Sequence, residues 1–359
     1  MRELFEARSI AIIGASSRPE KVGHVILRNM IASGYSGVIY PVNPKADRIL
    51  DLKAYPDVLS IPGPVDMAVV AVPNTVVPGV MEQAGRKGVK VAVTISAGFR
   101  ETGPEGAELE RRVGEIASRY GIRVLGPNCL GVISTRNRLN ATFTDDFPIP
   151  GHVAVTSQSG AMGTILLDWA KGTRIGFSQF VSVGNKLDID EADLLAYFRD
   201  DPDTRVIGMY VEGMRRGRQF IEQAAATSRC KPIIALKAGR TSTGAKAASS
   251  HTGALSGSDM VYSAAMAEAG VMRVKTLDEF FDLLQGFASM PLPRGDGVAI
   301  VTNAGGLGVM AADACSDHGL TMSTLSRETV ERMKGGLPEE ANFYNPVDVI
   351  GDADATRFE

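Results

Sequence analysis

Three groups of residues in this 359-residue chain have types and spacings that could do chemistry. The first is SIAIIGASSRPEKVG (9–23), an apolar run that breaks into a Gly/Ser turn and then a helix start. Such a turn leaves backbone N–H groups at the positive end of a helix, which suits phosphate oxygens. Gly14 and Gly23 enclose the loop, with Ser16, Arg18 and Lys21 inside it, and the spacing is not GxGxxG. The next apolar run ends in YPVNPK, offering Asn43 and Lys45 where an NAD-binding unit would carry a carboxylate for the ribose hydroxyls. A cationic end there favours a ligand with an extra ribose phosphate, either NADP or coenzyme A. The plain alternative is a turn whose glycines only permit tight packing.

The second group is SQSGAMG (157–163), which places Ser157, Gln158, Ser159 and Gly160 at a helix start. By geometry that is an anion site, with N–H groups and dipole aimed at a phosphoryl group. A plain capped helix is the other reading. The third group is built around His251, inside KAGRTSTGAKAASSHTGALSG (237–257). Residues this small cannot build a core, so the segment reads as a loop that leaves the imidazole accessible, unless the histidine stands there by chance. Glu212 closes the run RVIGMYVEG. A carboxylate there needs a hydrogen-bond partner if buried, and is otherwise a strand-end surface acid. Of the other histidines, His24 reads as a partly exposed helix residue, His152 as a surface residue and His318 as a helix C-terminus.

These groups need strands to aim them. The apolar runs SIAIIGAS, VDMAVVAVP, VKVAVTISAGF, IRVLGPN, HVAVTSQSG, RVIGMYVEG, KPIIALKAG and GVAIVTNAGG are short, continuous and rich in Val, Ile and Ala. They lack the alternation of a half-wet sheet, so they read as parallel strands covered on both faces. Between them the spacing is helical: Leu109, Val113, Ile116 and Tyr120 share one face, and Leu194, Leu195 and Phe198 follow an Asp190 N-cap. Strand–helix alternation predicts an α/β fold of doubly wound units. Proline-rich stretches at 144–151 and 289–297 divide the chain into 1–145, 146–292 and 293–359. The last piece reads as the start of a domain that is incomplete. At the strand ends Val72, Pro73, Ala97, Gly98 and Asn128 describe an open backbone rim for a long ligand.

Composition narrows the function. Lys+Arg 38 against Asp+Glu 41, interspersed, gives a net charge of −3 and no basic block, so neither nucleic acid nor an anionic membrane is expected as a partner. Three distant cysteines fit a reducing, cytoplasmic setting and exclude a cysteine zinc site; no metal is expected. No apolar run approaches the ~18 residues of a membrane span.

GASxxPxKVG, PVNPK, ISAGF and GPNCLG, in this order, resemble the CoA-binding domain of the NDP-forming acyl-CoA synthetases. That superfamily holds the ADP-forming acetyl-CoA synthetases and the α subunit of succinyl-CoA synthetase. The resemblance implies a Rossmann-like CoA-binding domain over 1–145, a flavodoxin-like phosphohistidine domain over 146–292 and the start of a second flavodoxin-like domain over 293–359. It further implies that SSHTGALSG carries the phosphohistidine, His251, in the acetate-type wording. Glu212 would orient that histidine, and Ser157, Gln158, Ser159 and Gly160 would hold the phosphate. Asn185 and Lys186, in SVGNKLDID, would lie near the acyl group. The implied reaction is acyl-CoA + ADP + phosphate ⇌ acid + CoA + ATP, through acyl phosphate and phosphohistidine. With no GxxxxGK[ST] and no ATP-grasp-like segment, Mg-ADP or Mg-ATP is expected on an ATP-grasp partner or further domain, in an oligomer. The competing expectations are an acyl-CoA-binding regulatory region like that of protein lysine acetyltransferases, which usually loses the histidine, and an NADP-linked dehydrogenase, which the missing GxGxxG disfavours.

Overall fold

A computed structural model of the chain describes residues 1–244, 246 and 258–358. Met1–Met290 form one compact unit and Pro291–Glu359 a second, the boundary falling in the second proline-rich stretch. Among the described residues no helix is long and apolar enough to cross a membrane.

The first unit is built on two sheets. Strands β1 (Ser9–Ile13), β2 (Val38–Val42), β5 (Met67–Val70), β6 (Val91–Thr94) and β7 (Arg123–Leu125) form the first, with a small hairpin of β3 (Arg48–Ile49) and β4 (Leu52–Lys53) beside it. The order is β2-β1-β5-β6-β7 and every pairing is parallel. Every residue of β1, β5 and β6 is buried, as continuous Val/Ile/Ala runs require of strands covered on both faces. Helix Pro104–Tyr120 buries Val113 and Ile116 and stops at Gly121, whose left-handed φ of 67° closes its C-terminus.

The second sheet contains β8 (Gly131–Ser134), β9 (Leu139–Thr142), β10 (Pro150–Ser157), β11 (Phe177–Ser182), β12 (Val206–Val211), β13 (Ile233–Lys237) and β14 (Met272–Val274). Its order is β14-β13-β12-β10-β11-β8-β9. Five strands are parallel, but β8 runs antiparallel to β11 and β9 antiparallel to β8. The expected all-parallel sheet therefore fails at this edge. Only four residues join β8 to β9, and a parallel return needs a crossover of a dozen or more. This hairpin lies before residue 146, so the second sheet begins inside the first expected segment. Helix Glu191–Asp200 starts at Asp190 in a capping box and buries Leu194, Leu195 and Phe198, as its sequence predicts.

Both sheets reverse winding at one strand. β1 has β2 on one side and β5 on the other, while β10 has β11 and β12. Loops leaving such a switch strand diverge and open a crevice at its carboxyl end. The strands concerned are the two that feed GASSRPEKVG and SQSGAMG.

The second unit pairs Gly297–Val298 with Thr321–Met322 and Val301–Thr302 with Val347–Asp348, both in parallel. Helices Gly305–Asp317 and Arg327–Lys334 accompany them, and His318 caps the first at its C-terminus.

Candidate functional site

At the first crevice Gly14 turns the chain with φ +93°, and a Cβ there would lie 2.3 Å from the carbonyl oxygen of Ala71. A Cβ on Gly23 would lie 2.0 Å from the oxygen of Gly14. Both glycines therefore let helix Val22–Ala32 start directly against the end of β1. Around them opens a cavity of 650 Å³ whose walls include Gly14, Ser16, Arg18, Lys21, Gly23, Asn43, Lys45, Val72 and Pro73. Among the described residues three cations and no carboxylate line it, an arrangement that attracts a polyanion. Asn43 is committed locally: its Nδ2 donates to the Ala15 oxygen (2.7 Å) and its Oδ1 accepts from Lys45 N–H (2.8 Å), tying the two basic loops together. His24 is buried, not partly exposed as its position suggests, because its Nδ1 sits 2.8 Å from the oxygen of Ser16 and folds the ring under the loop.

A second cavity, of 540 Å³, shares Val22, Ala71 and Val72 with the first, so the two form one groove. Ala97, Asn128, Ile95, Cys129, Leu130 and Phe143 wall it on one side, and Gln158, Ser159 and Gly160 face it from the start of helix Gly160–Thr173. Ser159 is that helix's N-cap, its Oγ accepting from Met162 N–H at 3.3 Å. Ser157 is fully buried and donates to the Ser159 oxygen (2.7 Å), so it shapes the turn without reaching the cavity. Gly98 is not in the lining; with φ +96° it packs on Asn74, whose Nδ2 donates to its oxygen. Cys129 faces this groove, yet burial pushes its thiol up to about 12. At pH 8 that leaves a thiolate fraction of roughly 10⁻⁴. Iodoacetamide at pH 8 is therefore expected to modify exposed Cys230 and spare Cys129 until denaturant is added, as read by peptide mass mapping.

Glu212 follows β12 and is half-buried. Its turn is held from several sides. Gln158 Oε1 accepts from the N–H groups of Glu212 and of Gly213, the latter at 2.9 Å. This fixes the amide's orientation and turns its NH₂ end away from the Glu212 turn. Lys186, 2% exposed, donates to the Gly213 oxygen and pairs with Glu191 at 2.9 Å. The Tyr262 hydroxyl accepts from Met214 N–H at 3.2 Å. Nearby, Lys237 ends β13 with 2% exposure, its Nζ 4.5 Å over the Tyr262 ring. Burial pushes its ammonium below the ordinary lysine value, opposed by the charges of Asp259 and Glu212. His251 lies outside the described residues.

Asn185 does not face either cavity. Its Nδ2 donates to Glu101 (2.7 Å) and Glu110 (2.8 Å), and the Arg100 guanidinium binds its carbonyl oxygen, which locks the first sheet's loops onto the second. Burial raises the Glu110 carboxyl; burial also opposes ionisation of Glu101, but the Asn185 amide and the Gly98 N–H hold that group low. Sequence reasoning missed this network, together with Phe143, Tyr262 and Lys237. A lysine closing the apolar run PIIALK was the one visible signal, since a cation in such a run is costly to bury.

A CoA-binding Rossmann-like sheet joined to a ligase-type flavodoxin-like sheet defines the class. Residues 8–135 match the CoA binding domain, 150–287 the succinyl-CoA ligase like flavodoxin domain and 298–359 the Ligase-CoA domain. The chain is 48% identical, over its whole length and 78% of the relative's, to the alpha subunit of acetate–CoA ligase [ADP-forming] I from Pyrococcus furiosus. It is 50% identical over 96% of its length to the acetate–CoA ligase [ADP-forming] of Methanocaldococcus jannaschii, of which it spans 48%. The dinucleotide forming acetyl-coenzyme A synthetase 1 of Ca. Korarchaeum cryptofilum, solved with phosphate and ADP, superposes with a TM-score of 0.93 at 44% identity, covering 98% of this chain and 76% of that one. The chain belongs to the ADP-forming acetate–CoA ligase family.

Proposed function

We propose that the chain is the α part of an ADP-forming acyl-CoA synthetase, which converts acyl-CoA, ADP and phosphate into acid, CoA and ATP through a phosphohistidine at His251. The observation that carries this reading is the single groove running from the cations Arg18, Lys21 and Lys45 to the start of helix Gly160–Thr173. CoA has its phosphates at one end and its thiol at the other, so the basic end fits the nucleotide and the far end receives the thioester. The division of labour is then CoA binding by 1–145 and phosphoryl transfer by 146–292, with 293–359 belonging to a further flavodoxin-like domain. The nucleotide step falls to an ATP-grasp partner or domain, in keeping with the share of its relatives' length that the chain spans. The enzyme acts in the cytoplasm, which suits its free cysteines.

Phosphate oxygen attacks the thioester carbon, the C–S bond breaks and CoA leaves as the thiol, giving an acyl phosphate. A neutral His251 nitrogen then attacks phosphorus; the P–O bond to the acyl group breaks and the acid leaves as its carboxylate. Glu212 accepts the other ring N–H, which fixes the tautomer and supports the positive charge as the N–P bond forms. The Ser159–Gly160 helix start and the Gln158 NH₂ group stabilise the oxygens of the moving phosphoryl group. Titration calorimetry tests the binding half: CoA is expected to bind at least tenfold tighter than dephospho-CoA, because Lys45 or Arg18 takes the 3′-phosphate. Tighter binding of NADP or NAD than of CoA would sink the assignment.

A further inference from the structure

We propose that Lys237 and Tyr262 are positioning residues for Glu212, an inference that rests on the phosphohistidine reading of this site. The backbone of the Glu212–Met214 turn is tied down by side chains from three other places in the fold. Gln158, after β10, accepts its first two N–H groups; Lys186, after β11, donates to the Gly213 oxygen; Tyr262, on helix Asp259–Glu268, accepts the third N–H at 3.2 Å. The first two anchors belong to the sheet's own crevice. The third comes from the far side of the 238–258 segment, and it needs something to hold its ring in place.

Lys237 supplies that hold. It stands at the last position of β13, immediately before the segment, while Tyr262 stands just after it. The ammonium sits 4.5 Å over the Tyr262 ring and donates to the Ala238 oxygen, at 2% exposure. A desolvated cation on an aromatic face is a strong contact of its type. Burying a lysine there without a carboxylate in hydrogen-bond contact is costly, and a neutral side chain would fill the same space without that cost. The carboxylates of Asp259 and Glu212 favour the charged form, against burial and the nearby cations Arg273 and Lys186. One buried cation thus joins the two stems of the segment that carries His251 and, through the tyrosine hydroxyl, fixes the turn that carries Glu212. Arg273 secures the same helix by pairing with Asp259.

The test uses the full chain with ³²P-labelled acetyl phosphate, following base-stable label on the protein, beside calorimetric CoA binding and thermal melting. Lys237→Met and Tyr262→Leu are expected to slow labelling ten- to a hundredfold while the dissociation constant of CoA changes by less than twofold. Tyr262→Phe keeps the ring and should lose less than Tyr262→Leu. Lys237→Arg keeps a cation over the ring and should recover most of the rate. Labelling at the wild-type rate in Lys237→Met and Tyr262→Leu overturns the inference, as does a loss that tracks the folded fraction or CoA affinity, or an arginine variant no better than methionine. A wild-type chain that takes no label overturns the phosphohistidine reading, and this inference falls with it.

Discussion

His251→Ala is expected to abolish the acid-labile, base-stable phosphoryl label that the proposed mechanism has acetyl phosphate, or acetyl-CoA with phosphate, place on the wild-type chain. No other side chain in the proposed scheme offers a neutral nitrogen for the N–P bond, so the expected residual is zero. Glu212→Gln keeps the length and the two bonds that Gln158 Oε1 accepts from the N–H groups of residues 212 and 213, so the fold is retained. In the proposed mechanism, losing the carboxylate removes what selects the His251 tautomer and balances its developing charge. Labelling should slow by on the order of 10²-fold, the scale of lost acid–base assistance. Intact-mass measurement of the phosphorylated chain decides: undiminished label in His251→Ala places the phosphate elsewhere and ends the mechanism.

Gly23→Ala should have the largest effect on binding. The added Cβ would lie 2.0 Å from the Gly14 oxygen and 2.7 Å from its carbonyl carbon, both backbone atoms that cannot swing aside. Helix Val22–Ala32 must retreat from the end of β1, which costs about 3 kcal/mol at the upper end of ordinary overpacking. The melting temperature of the first unit is expected to fall by roughly 5–10 °C. Because the same retreat moves the helix start that closes the basic groove, CoA affinity should drop at least a hundredfold in calorimetry. An alanine variant that binds CoA as the wild type does would show that this helix start lies outside the ligand site. Gly88→Ala is a useful contrast: nothing lies within 4 Å of its added Cβ, although its φ of +83° still carries the backbone strain of a left-handed position.

The strands, helices and both switch-strand loops were legible in the sequence because their causes are local. A fully apolar Val/Ile/Ala run is stable only when covered on both faces, and Asp190 can cap only the helix that follows it. The glycines at 14 and 23 could likewise be read as a turn for close approach, and Arg18, Lys21 and Lys45 as a cationic rim without a ribose acid. Periodicity left the β8–β9 hairpin invisible, since four-residue strands at a sheet edge carry too few residues to show a pattern.

What only the tertiary structure decided is which polar atoms are spent on the fold and which remain for a ligand. Ser157, Asn43 and Asn185 have the right types at strand ends, yet their hydrogen bonds close turns or join the two sheets. Gln158 divides its amide, oxygen toward the Glu212 turn and nitrogen away from it, a choice made by N–H groups more than fifty residues distant. Lys237 and Tyr262 stand far apart in sequence, and only the folded sheet brings ammonium and ring within 4.5 Å. Local composition can set an element's type. Hydrogen-bond partners and buried charge pairs between distant segments depend on the register and crossing of whole sheets, so they exist only once those sheets have packed.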